Sequence, residues 1–306
     1  MRLGFQISLL NWLMIAALAI TPQVDDGFDW QTLELGALKV HWYDSDTRFG
    51  EAALDAAWAG MESISRFLTP DLGQPVEIFI YTNLEDLRST QVPGEDWVAG
   101  HADPALGLVR VVIEPGEEQA IRMEQRIPHE LMHVMLYRRV GPGYANVPTW
   151  LREGMAALAE TYPNPDYDRV LAAAVERNDL IPLTELCVSF PAAAGRAFLA
   201  YAESRSFTNY LQETYGSTGL IDLAVTYADS VDCERGTERA LGISLSSLEV
   251  RWRSAVLNQN PLLPALQTIL PYLVLLCLVL LIPMLGIASA LRRTESHDER
   301  GTQVRK

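Results

Sequence analysis

Residues 127–136 read IPHELMHVML, a segment in which two histidines and one glutamate interrupt an otherwise apolar run. His129 and His133 are four positions apart, a spacing that places both imidazoles on one face of a helix. Pro128 suits the first turn of such a helix, because its missing N–H is not needed there. Two imidazoles at this spacing suit a zinc ion, with Glu130 close to the ion but not bound to it.

A zinc site needs a third protein ligand, and a catalytic site also keeps one coordination position open. The segment PTWLREGMAALAE at residues 148–160 supplies a candidate, because Glu153 follows His133 by 20 positions on a second predicted helix. Two antiparallel helices joined by a short loop would place Glu153 opposite the two histidines. We therefore expect His129, His133 and Glu153 to bind Zn²⁺. Glu130 would then take a proton from the attacking water and pass it to a leaving amine.

The pattern of apolar residues predicts a strand-rich segment followed by a helical one. Strands are predicted over residues 38–43, 76–81 and 106–113, with a short edge strand at 98–101. Helices are predicted over residues 49–68, 117–126, 128–140, 149–160, 166–178, 196–215, 218–228 and 245–257. We interpret residues 24–115 as the strand-rich half of a catalytic domain of the α+β class. Residues 116–257 are the helical half, which holds the zinc site.

Residues 5–20 form an apolar segment that follows the single positive charge of Arg2. It ends in the small-x-small pattern Ala-Leu-Ala at 17–19, which suits signal peptidase. Residues 1–21 are therefore interpreted as a signal peptide, with an uncleaved N-terminal anchor as the alternative.

A second apolar segment lies near the other end of the chain. Residues 254–291 contain no charge, and residues 269–291 are almost wholly apolar. At about 1.5 Å per residue, the latter stretch crosses a hydrocarbon core of about 30 Å. We predict a transmembrane helix over 265–291 that contacts membrane lipid. The tail 292–306 begins with two arginines and is expected in the cytoplasm, so the catalytic part would lie outside the cytoplasm.

Composition limits the classes of function. The chain has 306 residues, 49% of them hydrophobic, and a formal net charge of −15. Such acidity argues against nucleic acid as a partner, because phosphates require a basic surface. No serine lies in a GxSxG context, so nucleophilic serine catalysis has no support. Cys187 and Cys233 fall in the predicted exported part, where they form either a disulfide or two free thiols.

HELMH followed about 20 residues later by WLREGMA resembles the gluzincin metallopeptidases, and especially the bacterial peptidase MA-like group. The segments FLAYAESRSFTNYLQETYG (198–216) and LGISLSSLEVRWRSAV (241–256) are also similar to that group. The resemblance covers roughly residues 35–257 and implies a zincin-like fold acting on peptide or protein substrates.

The resemblance also implies a role for each residue of the site. His129 and His133 would ligate zinc, Glu153 would be the third ligand and Glu130 the general base. A tyrosine on a later helix would donate a hydrogen bond to the tetrahedral intermediate, and Tyr201 is the matching position. A packed helix residue is the alternative interpretation of Tyr201.

Thermolysin-like members carry an aspartate four residues after the third ligand, where this chain has Ala157. The groups that orient the ligating histidines are therefore not identified from the sequence. His101, in VAGHADP, is interpreted as a loop residue with a local hydrogen bond, and a place beside the substrate is the alternative. A catalytically inactive, zinc-stabilised exported domain that binds a partner is the alternative to a peptidase. An intramembrane protease is rejected, because arginines flank the histidine motif.

Overall fold

The computed structural model describes residues 27–90, 98–258 and 269–281. Its sheet has five strands in the order β1-β2-β3-β5-β4. The strands are β1 (Gln31–Leu35), β2 (Leu38–Trp42), β3 (Val76–Tyr81), β4 (Gly100–Asp103) and β5 (Leu108–Val112). The inner strands β2, β3 and β5 are parallel, whereas β1 and β4 pair antiparallel at the two edges. The expected small mixed sheet with a helical half is confirmed.

The central strand β3 is buried on both faces, which explains its nearly continuous apolar sequence VEIFIY. Phe79 and Tyr81 project to one face, where Trp30 packs edge-on against them at ring-centroid distances of 5.2 and 5.4 Å. Ile78 and Ile80 project to the other face and are fully buried. The sheet thus separates an aromatic cluster from the face on which the site helix lies.

Eight α-helices lie within the described residues 27–90 and 98–258. They are α1 (Thr47–Ser65), α2 (Leu84–Ser89), α3 (Gln119–Val140), α4 (Thr149–Ala159), α5 (Asp166–Arg177), α6 (Ala194–Ala228), α7 (Cys233–Leu241) and α8 (Leu245–Ala255). Short 3-10 turns occupy Gly141–Asn146 and Leu183–Leu186. Helices α1 and α3 pack closely, since a Cβ at Gly60 would lie 3.0 Å from the Pro128 ring. A side chain at position 60 would therefore require the two helices to move apart by a few tenths of an ångström.

The expected break between helices at residues 127–128 is wrong. Pro128 lies inside α3, which is continuous from Gln119 to Val140. A proline at this position removes the N–H that would bond the carbonyl of Glu124, four residues earlier. Thr161 replaces that donor with both its backbone N–H and its hydroxyl, each 3.0 Å from the Glu124 oxygen. The helix continues because its freed carbonyl has other partners.

Three elements were not predicted from the sequence: β1, α2 and α7. Strand β1 lies at the sheet edge and is mostly exposed, so it lacks the alternation of a half-buried strand. Helix α2 has only six residues, and α7 nine. The break predicted between the helices over residues 196–215 and 218–228 is present as a kink within α6 at Gly216, which has φ 73° and ψ 173°. Such a backbone conformation favours glycine.

The chain divides into two compact units, Met1–Ala145 with Met155–Asn164, and Asn146–Gly154 with Pro165–Lys306. In the second unit Trp150 is fully buried, with its ring 5.0 Å from that of Phe207. Cys187 and Cys233 form a disulfide with a Cα–Cα distance of 6.1 Å. Of the two interpretations of this pair, the structure therefore favours the disulfide over free thiols.

Residues 269–281 are helical, and all of their side chains are exposed. Among the described residues, no helix has both the length and the apolar character that a membrane crossing requires. The rest of the predicted transmembrane segment 265–291 lies outside the described residues. So do the predicted signal peptide, residues 1–21, and the tail 292–306.

Candidate metal centre

Helix α3 supplies the two histidines of the candidate site. His129 and His133 are one helical turn apart, so their rings lie side by side with centroids separated by 5.2 Å and planes at 76°. His133 is buried, and His129 is partly exposed. The spacing that the sequence indicated therefore does place both imidazoles on one face of one helix.

Helix α4 supplies the carboxylate. One ligand atom from each of His129, His133 and Glu153 lies within 4.8 Å of the other two. The structure thus brings together the three residues that were expected to share an ion. Helix α4 is a single continuous helix, and its residues are divided between the two compact units at Gly154 and Met155.

Each of the two histidine rings is hydrogen-bonded through its Nδ1 atom. The Glu160 carboxylate lies 3.1 Å from Nδ1 of His129, and the Tyr144 hydroxyl lies 2.9 Å from Nδ1 of His133. Both Nδ1 atoms are therefore engaged, so a metal ion held by these two rings would be bound through Nε2. A partner on the second ring nitrogen is typical of metal-binding histidines.

Glu160 is the orienting group that the sequence did not identify. It follows Glu153 by seven residues, so it lies two turns further along the same helical face, just beyond the end of α4. Its side chain is buried, and its neighbour Thr161 holds the Glu124 carbonyl of α3. The i+7 spacing was the available signal. The position four residues after the third ligand is occupied by Ala157 instead.

Glu130 lies beside the edge strand β4. It is 8% exposed, and a Cβ placed on Gly100 would lie 2.5 Å from its Oε1. Any larger residue at position 100 would therefore displace the carboxylate. The pattern VAGHADP contains this glycine, but nothing in the sequence showed that it faces Glu130.

His101 follows Gly100 on the same strand, so it does not lie in a loop. Burial, helped by the positive charge of Arg110, lowers the pKa of His101, and Asp103 offsets part of this shift. His101 is thus expected to be neutral at pH 7. A neutral imidazole can donate a hydrogen bond from one ring nitrogen and accept one at the other.

Tyr201 lies on α6, with its ring edge-on to that of Phe190 at a centroid distance of 4.8 Å. Helices α4 and α6 approach closely one turn further along. A Cβ on Gly154 would lie 2.1 Å from Thr208 Oγ1 and 2.6 Å from the Ser204 carbonyl oxygen. The glycine of WLREG therefore allows α6 to pack against the helix that carries Glu153. The catalytic role expected of Tyr201 stays a prediction.

Among solved structures, the chain is similar to an M1 zinc metallopeptidase from Deinococcus radiodurans, with 16% identity and a TM-score of 0.37 over 73% of this chain and 50% of that chain. A mutant of that enzyme bound to a Tyr-Ser-Ala substrate gives 16% identity and a TM-score of 0.36, over 74% and 51%. The chain thus spans about half the length of these structures. No curated protein matches it.

The family model of the Peptidase MA superfamily matches residues 56–258. That range includes the histidine motif on α3, the WLREG segment on α4, and helices α5 to α8. The resemblance read from HELMH and WLREGMA is confirmed, and the chain belongs to the Peptidase MA superfamily.

Proposed function

We propose that this protein is a membrane-anchored zinc peptidase that hydrolyses peptide bonds outside the cytoplasm. The observation that carries the proposal is the convergence of His129, His133 and Glu153 within 4.8 Å, with Glu130 on the same helix as the histidines. A purely structural zinc site is usually closed by four protein ligands. It has no need of an additional carboxylate that accepts protons beside the ion.

The donor set fits zinc. Two imidazole nitrogens and one carboxylate oxygen are the ligands of a catalytic zinc site, and three protein ligands leave a position open. The Nδ1 bonds to Glu160 and Tyr144 direct both Nε2 atoms away from their partners. The buried surroundings of His133 and Glu160 favour retention of a cation by a ligand set that carries negative charge.

A zinc ion held by these residues would polarise a peptide carbonyl and make a water molecule more acidic. Glu130 then accepts a proton from the attacking water through its carboxylate. It returns that proton to the leaving nitrogen as the C–N bond breaks, and the acid that forms passes its remaining proton to the amine, so that a carboxylate and an ammonium result. Its burial and its contact with Gly100 hold the carboxylate in one place for both transfers.

The substrate would bind as an extended peptide. Strand β4 pairs with β5 on one side only, and on its other side no described residue forms a strand. An extended peptide can add to such an edge through backbone hydrogen bonds. Tyr201 would donate a hydrogen bond to the oxyanion that forms at the attacked carbonyl.

Three observations support a membrane anchor and a catalytic part outside the cytoplasm. The Cys187–Cys233 disulfide is of a kind that persists in oxidising compartments. The helix over 269–281 is apolar and exposed on every side, as expected for a segment that lipid covers. The arginines at 292 and 293 favour a cytoplasmic tail.

The variant Glu130→Gln tests the mechanism, because the amide cannot accept the proton. Assayed in the full chain in detergent micelles against a quenched peptide library, it should lose activity by at least about 100-fold. Its zinc content, measured by mass spectrometry, should stay at that of the parent. Glu117→Gln is the control, since Glu117 is exposed just before α3.

The outcomes separate the candidate functions. Hydrolysis by Glu130→Gln at the parent rate would refute the mechanism. A parent chain that binds zinc and cleaves no peptide in the library would favour an inactive, zinc-stabilised binding domain. Replacement of His129, His133 or Glu153 by alanine should in each case lower the zinc content.

A further inference from the structure

The two histidines of the site have chemically different partners. The Nδ1 of His129 faces the carboxylate of Glu160, whereas the Nδ1 of His133 faces the phenol of Tyr144 at 2.9 Å. One partner carries a formal charge and the other is neutral. Neither the histidine motif nor the WLREG segment includes Tyr144, which lies between them in the turn GPGYAN.

The turn explains how Tyr144 reaches the histidine. Helix α3 ends at Val140, and Gly141 follows with a φ of 70°, a conformation that most residues avoid. The chain then folds back as a 3-10 turn. The Tyr144 ring thereby lies against the last turns of α3, with its centroid 6.0 Å from that of Tyr137 and 6.5 Å from that of His133.

We propose that Tyr144 is a positioning residue for the second imidazole ligand. Its hydroxyl oxygen accepts the hydrogen on Nδ1 of His133, which keeps Nε2 unprotonated and aimed at the metal position. Without that acceptor, the ring is free to exchange tautomers and to rotate about its Cβ–Cγ bond. Either change raises the cost of metal binding. This inference rests on the proposed function, because it assigns Tyr144 a role toward the zinc ion.

The chemical difference between the two partners has a consequence for the ion. A carboxylate partner increases the electron donation of an imidazole more strongly than a neutral phenol does. Tyr144 therefore orients His133 while adding no negative charge to the site. A second carboxylate at this place would orient the ring equally well, but it would further neutralise the cation.

The variant Tyr144→Phe tests the proposal, because it removes only the hydroxyl. The measurement is the rate of zinc release from the full, zinc-loaded chain to an excess of a coloured chelator, with the affinity obtained by chelator competition. Loss of an outer partner of this kind typically weakens metal binding by about 10–100-fold. We expect a change of that size for Tyr144→Phe.

Tyr137→Phe is the matched control. Tyr137 is also half-buried, and its ring packs against Tyr144. Removal of its hydroxyl should leave zinc release within about twofold of the parent rate. Thermal unfolding of the metal-free proteins separates positioning from general stability. The three metal-free chains should unfold together, whereas only zinc-loaded Tyr144→Phe should unfold at a lower temperature than the zinc-loaded parent.

Each remaining outcome is decisive. Zinc release from Tyr144→Phe at the parent rate would overturn the role of Tyr144 and leave the peptidase proposal intact. An equal loss of stability in the metal-free variant, with unchanged zinc affinity, would assign Tyr144 to packing alone. A parent chain that binds no zinc would overturn both proposals.

Discussion

The stability of the protein should depend on the protonation of Glu203, a carboxyl buried in the second compact unit. Glu203 is 0% exposed on α6, and it accepts a hydrogen bond from the Ile181 backbone N–H at 2.9 Å. Burial raises its pKa from 4.5 to about 8, against the opposing effects of that hydrogen bond and of the positive charge of Arg253. Between pH 4.5 and about 8, the folded protein therefore keeps a proton on Glu203 that the unfolded chain releases.

The sign and size of the effect follow from this difference. Below pH 4.5 the carboxyl is protonated in both states, and the folded protein has its full stability. As the pH rises from 4.5 to 8, only the unfolded chain loses the proton. The free energy of unfolding then falls by about 1.4 kcal/mol per pH unit. The whole loss is on the order of 4–5 kcal/mol, a large part of the stability of an ordinary domain.

The variant Glu203→Gln should remove this loss. Its amide oxygen can still accept the Ile181 N–H, but the side chain has no proton to release. Urea unfolding of the full chain should be followed by tryptophan fluorescence at pH 5.5, 6.5, 7.5 and 8.5. A chelator should be present throughout, because zinc binding depends on pH by itself. The parent should weaken as the pH rises to about 8 and change little beyond it, and Glu203→Gln should weaken much less.

Two controls make the comparison specific. Burial also raises the pKa of Glu249, so that group contributes to the parent slope and stays in the variant. The difference between the two proteins therefore reports Glu203 together with its charge interaction with Glu249. Glu213→Gln removes an exposed carboxyl from the same helix and should reproduce the parent curve. If Glu203→Gln loses stability with pH as steeply as the parent does, the argument from burial is refuted.

Three further substitutions test how the rest of the chain supports the site. Gly100→Ala would put a Cβ 2.5 Å from Glu130 Oε1, so peptide hydrolysis should fall at least about 10-fold. Because the contact is with a flexible side-chain end, its urea midpoint should change little. Thr161→Val removes one of two bonds to the Glu124 carbonyl and should cost about 1 kcal/mol in urea unfolding. Cys233→Ala opens a disulfide spanning 46 residues and should lower the free energy of unfolding by about 3–4 kcal/mol. A reductant added to the parent should produce a loss of the same size.

The parts of the site that depend on spacing along one helix were predictable from the sequence. The four-residue spacing of His129 and His133 defines their common face, whatever surrounds the helix. The position of Glu153 was less secure, because it required two helices to meet. It was inferred from the short loop and from the resemblance to known metallopeptidases. The central strand was predictable as well, since Val76–Tyr81 is apolar on both faces.

The parts that depend on contacts distant in sequence were not predictable. Tyr144 reaches His133 only because Gly141 reverses the chain, and Gly100 meets Glu130 only because β4 lies at the edge of the sheet. Neither contact has a periodic signature. The exposed strand β1 was missed for a related reason, because it buries too little surface to produce an alternating pattern.

Pro128 illustrates how local and distant effects combine at this site. From the sequence it reads as the opening residue of a helix, but it lies in the middle of α3. There it takes one N–H away from the helix, and the carbonyl of Glu124 becomes available to an outside donor. Thr161 supplies two such donors and is thereby tied to α3. Its neighbour Glu160 is then held at the Nδ1 of His129. A residue that weakens the helix in isolation therefore connects the histidine helix to the segment that orients its first ligand.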